Sequence, residues 1–287
     1  MTDVIDQPDP IALIGGLGKT GRRVAALLAA QGRSVRPLSR SAAFPFDWDA
    51  PQGWAAALAG TGAAYVTFQP DLSVPHAVEA IERLSGVAMA QGVRQIVLLS
   101  GRGEEGARRA EEALAASGID WTVVRASWFM QNFSESFLCD AVRAGELVIP
   151  LGTAPEPFVD ADDIAEVAIA ALLRTIPGRR VYEVTGPQAV RFSDAFAAIG
   201  DALGRRLTCR EVDIDAFADH LSGNGLPAPL IPVLIDLFTT TLDGRNTDIA
   251  SGIAEALGRP PRSLPDYARN AARTGAWPRD AHLAVAG

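Results

Sequence analysis

Short apolar runs alternate with stretches of helical periodicity along the first half of the chain. After a polar leader over residues 1–10, Ile11-Ala-Leu-Ile14 reads as a buried strand, and Arg22–Ala30 as a helix that stops at Gln31-Gly32. Ser34–Ser39 and Ala63–Phe68 predict two further strands, with a short helix at Trp54–Leu58 between them. His76–Gln91 predicts a helix closed by Gly92, Gln95–Ser100 an apolar strand, Gly106–Ser117 a helix and Trp121–Arg125 another strand. Strands that lack polar alternation, each followed by a helical pattern, are those of a parallel sheet covered on both faces.

Beyond residue 150 the rhythm changes. Ile164–Leu173 predicts a helix and Arg180–Thr185 a strand that returns to the sheet; Ser193–Leu203 is helical and Leu207–Val212 fits a strand. From Asp215 onward the pattern is mostly helical, broken by Gly and Pro. The predicted fold class is α/β. A Rossmann-type, doubly wound parallel sheet occupies 11–150, and a small, mostly helical C-terminal subdomain occupies 151–287, with soft boundaries near Pro150 and Pro187.

Composition narrows the function. At 287 residues and 48% hydrophobic types the chain can bury a full core. Its apolar runs, such as Val24–Ala30, fall well short of the roughly 18 residues a membrane span needs. The leader lacks a basic segment followed by an apolar one, so no secretory signal is expected, and the sequon Asn132-Phe-Ser134 carries no glycosylation meaning. A net charge of −8 argues against nucleic-acid binding. Cys139 and Cys209 stand far apart, as do His76, His220 and His282, so neither a disulfide framework nor a metal site is expected, and a reducing cytoplasm is the expected compartment. Lys19 is the only lysine, which confines any lysine chemistry to that position.

The most informative segment is Gly15-Gly-Leu-Gly-Lys-Thr-Gly21, which follows a strand and opens a helix. In that context Gly15 permits a tight turn, Gly18 lets the backbone approach a pyrophosphate, and Gly21 allows the helix to pack closely. Lys19 and Thr20 stand in the loop, where helix N-terminal amides meet phosphate oxygens. A glycine turn without ligand is the plain alternative. A sharper rival is a nucleotide-triphosphate loop ending in Gly18-Lys19-Thr20, but that pattern needs glycine where Leu13 stands, and no later strand ends in a magnesium-binding aspartate. The end of the second strand decides between cofactors. An NAD site places an acid there for the ribose 2′-hydroxyl, whereas this chain has Ser39-Arg40-Ser41 and no acid before Asp47. Arg40 suits a 2′-phosphate and Ser41 adds a hydrogen bond, so the residues point to NADP(H).

These segments resemble the NmrA-like, atypical branch of the short-chain dehydrogenase/reductases. The likeness runs through Gly15–Val24, Val35–Arg40, Asp47-Trp48-Asp49, Ile96–Ser100, Trp121–Phe133, Phe158–Ala165 and Leu257–Arg262. Within the branch it is nearest to bacterial proteins grouped with ergot-alkaloid, quinone and azo-dye reductases. The resemblance implies NADP(H) binding, a C-terminal subdomain closing over the substrate, and roles by position. Asp47 joins the cofactor set, Thr67 and Phe68 flank the adenosine side, Ser100 lies beside the nicotinamide, and Ala126 and Ser127 line the nicotinamide end. Trp128, Phe129 and Asn132 are the implied substrate-pocket residues, although a packed apolar helix face explains the aromatics equally well. Two departures stand out. Arg125-Ala126-Ser127 replaces the branch's common Arg-Pro-Gly. The ordinary Tyr-x-x-x-Lys pair of the wider family cannot exist, because Tyr65, Tyr182 and Tyr267 precede Gln69, Gly186 and Ala271.

Other polar clusters read as structural. Asp160, Asp162 and Asp163 fit helix capping and the helix dipole better than a metal site. Glu104, Glu105, Glu111 and Glu112 read as a solvated helix face rather than as a proton relay. No catalytic residue is assigned. Two functions stay open: an NADPH-dependent reductase of an electron-poor small molecule (quinone, iminium, azo or conjugated carbonyl), and a non-catalytic NADP(H) sensor. A small-molecule partner is expected without nucleic acid or membrane, as monomer or dimer.

Overall fold

The structure, a computed structural model, describes residues 9–136 and 138–277. Residues 1–8 of the expected leader and His282 lie outside the described residues. The chain runs through β1 (Ile11–Ile14), α1 (Lys19–Ala30), β2 (Val35–Ser39), β3 (Phe44–Pro45), α2 (Trp54–Leu58), β4 (Ala63–Val66), α3 (Ala77–Ala90), β5 (Gln95–Gly101), α4 (Glu105–Ala116) and β6 (Asp120–Ala126). It continues through α5 (Asn132–Glu135), α6 (Leu138–Ala144), β7 (Glu146–Pro150), α7 (Ala161–Leu172), β8 (Val181–Val184), α8 (Phe192–Leu203) and β9 (Thr208–Val212). The last elements are α9 (Ile214–Gly223), α10 (Ile231–Asp236), α11 (Gly252–Leu257) and α12 (Leu264–Arg273).

Two compact units interleave along the chain. The first comprises the described residues up to Ala126 together with Ala161–Val184 and Ser251–Arg259; the second comprises Ser127–Asp160, Thr185–Ala250 and the described residues from Pro260. Beside the soft boundaries expected near Pro150 and Pro187, the chain crosses between the units after Ala126, Asp160, Val184, Ala250 and Arg259. The reason is β8 and α7: the last sheet position and a face-covering helix come from sequence beyond residue 150.

In the first unit seven strands form one parallel sheet in the order β3-β2-β1-β4-β5-β6-β8. Its central strands β1, β4 and β5 are buried on both faces because both are covered, whereas the edge strand β3 is exposed. Ile14, Leu38, Val66, Leu98 and Val123 point to one side, into a core with Trp54, Ile81, Leu84 and Leu114 from α2, α3 and α4. On the other side α1 packs against α7, and the buried Gln95 amide of β5 donates to the Ala171 carbonyl of α7 at 2.9 Å. The direction of strand succession reverses between β1 and β4. In an open parallel sheet this reversal leaves a crevice at the strands' carboxyl ends.

The second unit has a two-stranded parallel sheet, β7 with β9, that the sequence pattern did not predict as a pair. Its core is aromatic. Phe158 and Phe192 meet edge-on at 5.0 Å between centroids, and Phe217 and Phe238 at 5.4 Å. Such pairs add about 0.5–1.5 kcal/mol each beyond burial. Among the described residues no helix is long and apolar enough to cross a membrane.

Candidate functional site

The turn after β1 is built by its glycines. Gly15 has φ +77°, and a β-carbon there would lie 1.9 Å from Thr67 Oγ1. The Gly18 amide donates to the Gly15 carbonyl at 2.9 Å, closing the turn. A β-carbon on Gly21 would lie 2.2 Å from that same carbonyl oxygen, so only glycine lets the first turn of α1 sit this close to the loop. Gly18 differs: it is exposed, and a β-carbon there would meet only the Gly15 oxygen, at 3.2 Å. Gly18 caps α1 without a side chain, and no acid occupies the helix's first turn. Neither a capping side chain nor a first-turn acid offsets the positive end of the helix dipole.

Beside this turn, at the switch point, lies a cleft of about 730 Å³. It brings together Gly15, Gly18, Arg40, Ser41, Asp47 and Thr67 of the sequence-expected set, with Ser39, Trp48, Gln69 and Pro70 among its further walls. Arg40 is exposed and has no ion-pair partner among the described residues. The Ser39 hydroxyl is buried without a hydrogen-bond partner there. Both groups suit an added phosphate: a fixed cation and an orphaned donor, with no acid at the end of β2 to repel it. Asp47 shapes the far wall. Its carboxylate accepts the Asp49 amide at 3.1 Å and its carbonyl accepts the Trp54 indole N–H at 2.7 Å. Trp48 lies 4.4 Å from the Phe68 ring, and Phe68 itself is buried in the core.

Other expected residues are placed elsewhere. Lys19 is half-buried at the start of α1. Thr20 is buried, and its hydroxyl accepts from Tyr65 at 2.9 Å. Ser100 is buried in β5, where its hydroxyl donates to Glu111 at 2.5 Å. Ala126 closes β6, buried. In the second unit, the buried Ser127 hydroxyl donates to the Pro157 carbonyl at 2.6 Å. Trp128 packs edge-on against Phe192 and Phe238, Phe129 bridges Val159, and Asn132 opens α5, half-buried.

A polar network that the sequence reading missed crosses the carboxyl ends of three strands. Ser100, Arg125 and Glu183 are neighbours in register on β5, β6 and β8. Arg125 donates through Nε to Glu111 at 2.9 Å and through Nη1 to Glu183 at 2.7 Å, and its Nη2 also meets Glu111. The Glu111 carboxylate, by hydrogen bond and charge, pushes the guanidinium pKa up. The expected solvated glutamate face is thus corrected for two members. Glu105 and Glu112 are exposed and pair with Arg108, whereas Glu111 is buried and Glu104 half-buried. A signal was present: Ala107, Ala110, Glu111 and Leu114 recur at the spacing of one helix face, so Glu111 occupies a core position.

The three tyrosines are also occupied. Tyr65 is fully buried, which pushes its hydroxyl pKa up, and it donates to Thr20. Tyr182 donates to the Pro177 carbonyl at 3.0 Å and Tyr267 to the Ser134 hydroxyl at 2.7 Å. The aspartates around α7 take separate partners: Asp160 accepts from Gln131, Asp162 pairs with Arg23 and Asp163 with Arg259.

No protein-family model matches the chain. It is similar to the NAD(P)H azoreductase of Xenophilus azovorans, at 28% identity over 93% of this chain and 99% of that protein. It is 32% identical over 196 residues, 65% of this chain and 69% of the relative, to the (4-alkanoyl-5-oxo-2,5-dihydrofuran-3-yl)methyl phosphate reductase of Streptomyces griseus. The chain belongs to the NmrA-like atypical short-chain dehydrogenase/reductases. The fold of this NmrA-like protein agrees: the Escherichia coli NADPH-dependent quinone oxidoreductase, solved with NADPH, superposes with a TM-score of 0.73 at 21% identity over 91% of this chain and 99% of that one. This branch of the family is built on the NAD(P)-binding Rossmann fold.

Proposed function

We propose that this NmrA-like protein is an NADPH-dependent reductase of an electron-poor small molecule: a quinone, an azo compound, an iminium ion or a conjugated carbonyl compound. The observation that carries the reading is the cleft itself, with glycine turn, uncapped helix end and Ser39-Arg40-Ser41 converging on one volume. The Gly15–Gly18 turn and the first amides of α1 hold the pyrophosphate. Arg40 and Ser41, with the orphaned Ser39 hydroxyl, hold the 2′-phosphate, and Trp48 walls the cleft. Bound NADPH supplies hydride. The Ser100 hydroxyl donates to the Glu111 carboxylate and the Ser127 hydroxyl to the Pro157 carbonyl, which orients both side chains and leaves their oxygens able to accept.

The acceptor class follows from what the site lacks. With Lys19 at the loop and each tyrosine hydroxyl engaged within the protein, the Tyr-x-x-x-Lys route to a carbonyl alcohol is closed. An acceptor already poor in electrons takes hydride without a lysine-activated tyrosine. The azoreductase and the unsaturated-lactone reductase among the relatives support this class. A reducing cytoplasm, which keeps Cys139 and Cys209 as thiols, is the proposed compartment. The test is NADPH oxidation followed at its nicotinamide absorbance across quinones, azo dyes, iminium ions and enones. Turnover of at least one class is expected. Tight NADPH binding with no turnover of any class would favour the sensor.

A further inference from the structure

Glu104 begins the turn into α4, immediately beyond the end of β5. Its carboxyl lies over Gly101: a β-carbon there would come within 2.3 Å of Oε2 and 2.8 Å of Oε1. The carboxyl therefore fills the place of a residue-101 side chain. Strand alternation puts that place on the side of Gln95, whose amide reaches α7, and away from Ser100. Because α1 packs on α7, this is also the side of the sheet on which the glycine-turn helix lies. The loop after β4 supplies the remaining wall. Gln69 and Pro70 line the cleft, Asp71 follows them, and a β-carbon on Gly106 would lie 2.1 Å from the Ser73 carbonyl, so the start of α4 is pressed against this loop.

The Glu104 carboxyl is half-buried and has neither a hydrogen-bond nor an ion-pair partner among the described residues. The charged groups facing it do not neutralise it. Asp71 is of like sign, Arg108 one turn on is bound to Glu105 and Glu112, and Arg102 is paired with Glu183. Burial first, then Asp71, pushes its pKa up to about 8. At neutral pH it is a carboxylic acid held at the carboxyl edge of the sheet, next to the loop that walls the cleft.

We propose that Glu104 is the catalytic acid of the reductase, taking over the part of the tyrosine that this chain lacks and delivering the proton that an uncharged acceptor needs. This rests on the reductase reading above. In the step, the acceptor gains hydride from the reduced nicotinamide. The O–H bond of Glu104 breaks as its proton passes to the acceptor's oxygen or nitrogen, and water reprotonates the carboxylate. Two electrons and two hydrogens reach the acceptor, as reduction of a quinone, an azo bond or an enone demands. An iminium ion is neutralised by hydride alone and makes no use of Glu104.

Two measurements on the full chain decide this. In the first, calorimetry gives Kd for NADP⁺ and for NADPH from pH 6 to pH 10, in wild type and Glu104→Gln. A carboxylate beside the ring favours the cationic oxidised form, so the wild-type NADPH/NADP⁺ preference should shift toward NADP⁺ by about tenfold as pH rises through 8. It should stay constant in the variant. Phosphate titration is common to both nucleotides and cancels in the ratio. In the second, with a neutral acceptor from the screen, wild-type kcat should fall above about pH 8. Glu104→Gln should lose about a hundredfold in kcat, with the KM for NADPH unchanged. A wild-type ratio that does not move with pH overturns the assignment, as does a variant with wild-type kcat. A moving ratio without turnover of any acceptor sinks the reductase reading while leaving the carboxyl at the ring. Failure of both nucleotides to bind removes the two readings together.

Discussion

Arg40 follows the last residue of β2 and Arg125 stands near the end of β6, and the two guanidinium groups are surrounded in opposite ways. Arg125 is held by two carboxylates, Glu111 and Glu183, with Ser100 on the same Glu111 oxygen. Arg40 faces a cleft, exposed, beside a hydroxyl that has no partner among the described residues. The first arginine is spent on holding three strand ends and a helix together, and the second has its valence left over. What separates a structural arginine from a recognition arginine is how far its neighbours have satisfied it. Ser100 shows the same rule. Its hydroxyl donates to the Glu111 oxygen that Arg125 Nε also meets.

The contrast is broken most strongly at its saturated end. Glu111→Ala leaves a partly buried guanidinium with half its partners and should cost about 3 kcal/mol or more. A thermal melt should drop by roughly 5–10 °C, while NADPH affinity measured below the transition stays within about twofold. An unchanged melt would make the network ornamental. At the open end, Gly18→Val should lower NADPH affinity by about a hundredfold or more, because a side chain takes the pyrophosphate's space. Its backbone (φ −76°, ψ 179°) suits any residue, so stability should move by less than about 1 kcal/mol.

Arg40→Asp is expected to be smaller and more selective. The wild type should prefer NADPH over NADH by about tenfold, the lower end of a charge-assisted pairing open to water, and the variant should invert that preference. Added salt should weaken NADPH binding more than NADH binding in the wild type alone. Equal affinities in both proteins would show that Arg40 is only a surface charge. Smallest of all, Tyr65→Phe, Tyr182→Phe and Tyr267→Phe should each keep kcat within about threefold, because their hydroxyls bond within the protein. A thousandfold loss in one of them would identify it as the proton donor and displace Glu104.

Much of the first unit was legible because its signals are local. The glycine turn, the apolar strands and the helices between them follow from spacing within short windows, and Ser39-Arg40-Ser41 could be placed at a strand end without knowing the sheet. The second unit depends on distant partners. Glu146–Pro150 becomes a strand because it pairs with Thr208–Val212, a segment whose own pattern fits a strand but says nothing of its partner. Phe44-Pro45 is too short to show alternation and is a strand only through its pairing with Leu38-Ser39. At Glu111 charge and periodicity point opposite ways, and the place of the Glu104 carboxyl depends on Gly101 and on the loop after β4. In the second unit, Trp128, implied as pocket, is packed among Phe192 and Phe238.

The interleaving of the chain has a practical side for anyone who would transplant this nucleotide module. A fragment cut at residue 150 carries the complete glycine turn and all the cleft residues, yet it forfeits β8, α7 and α11. Arg125 would lose Glu183, β6 would become an open edge, and the face that α7 shields behind β4, β5 and β6 would meet water. The module is portable only as three stitched segments, or by permuting the chain so that Ala161–Val184 and Ser251–Arg259 become its neighbours.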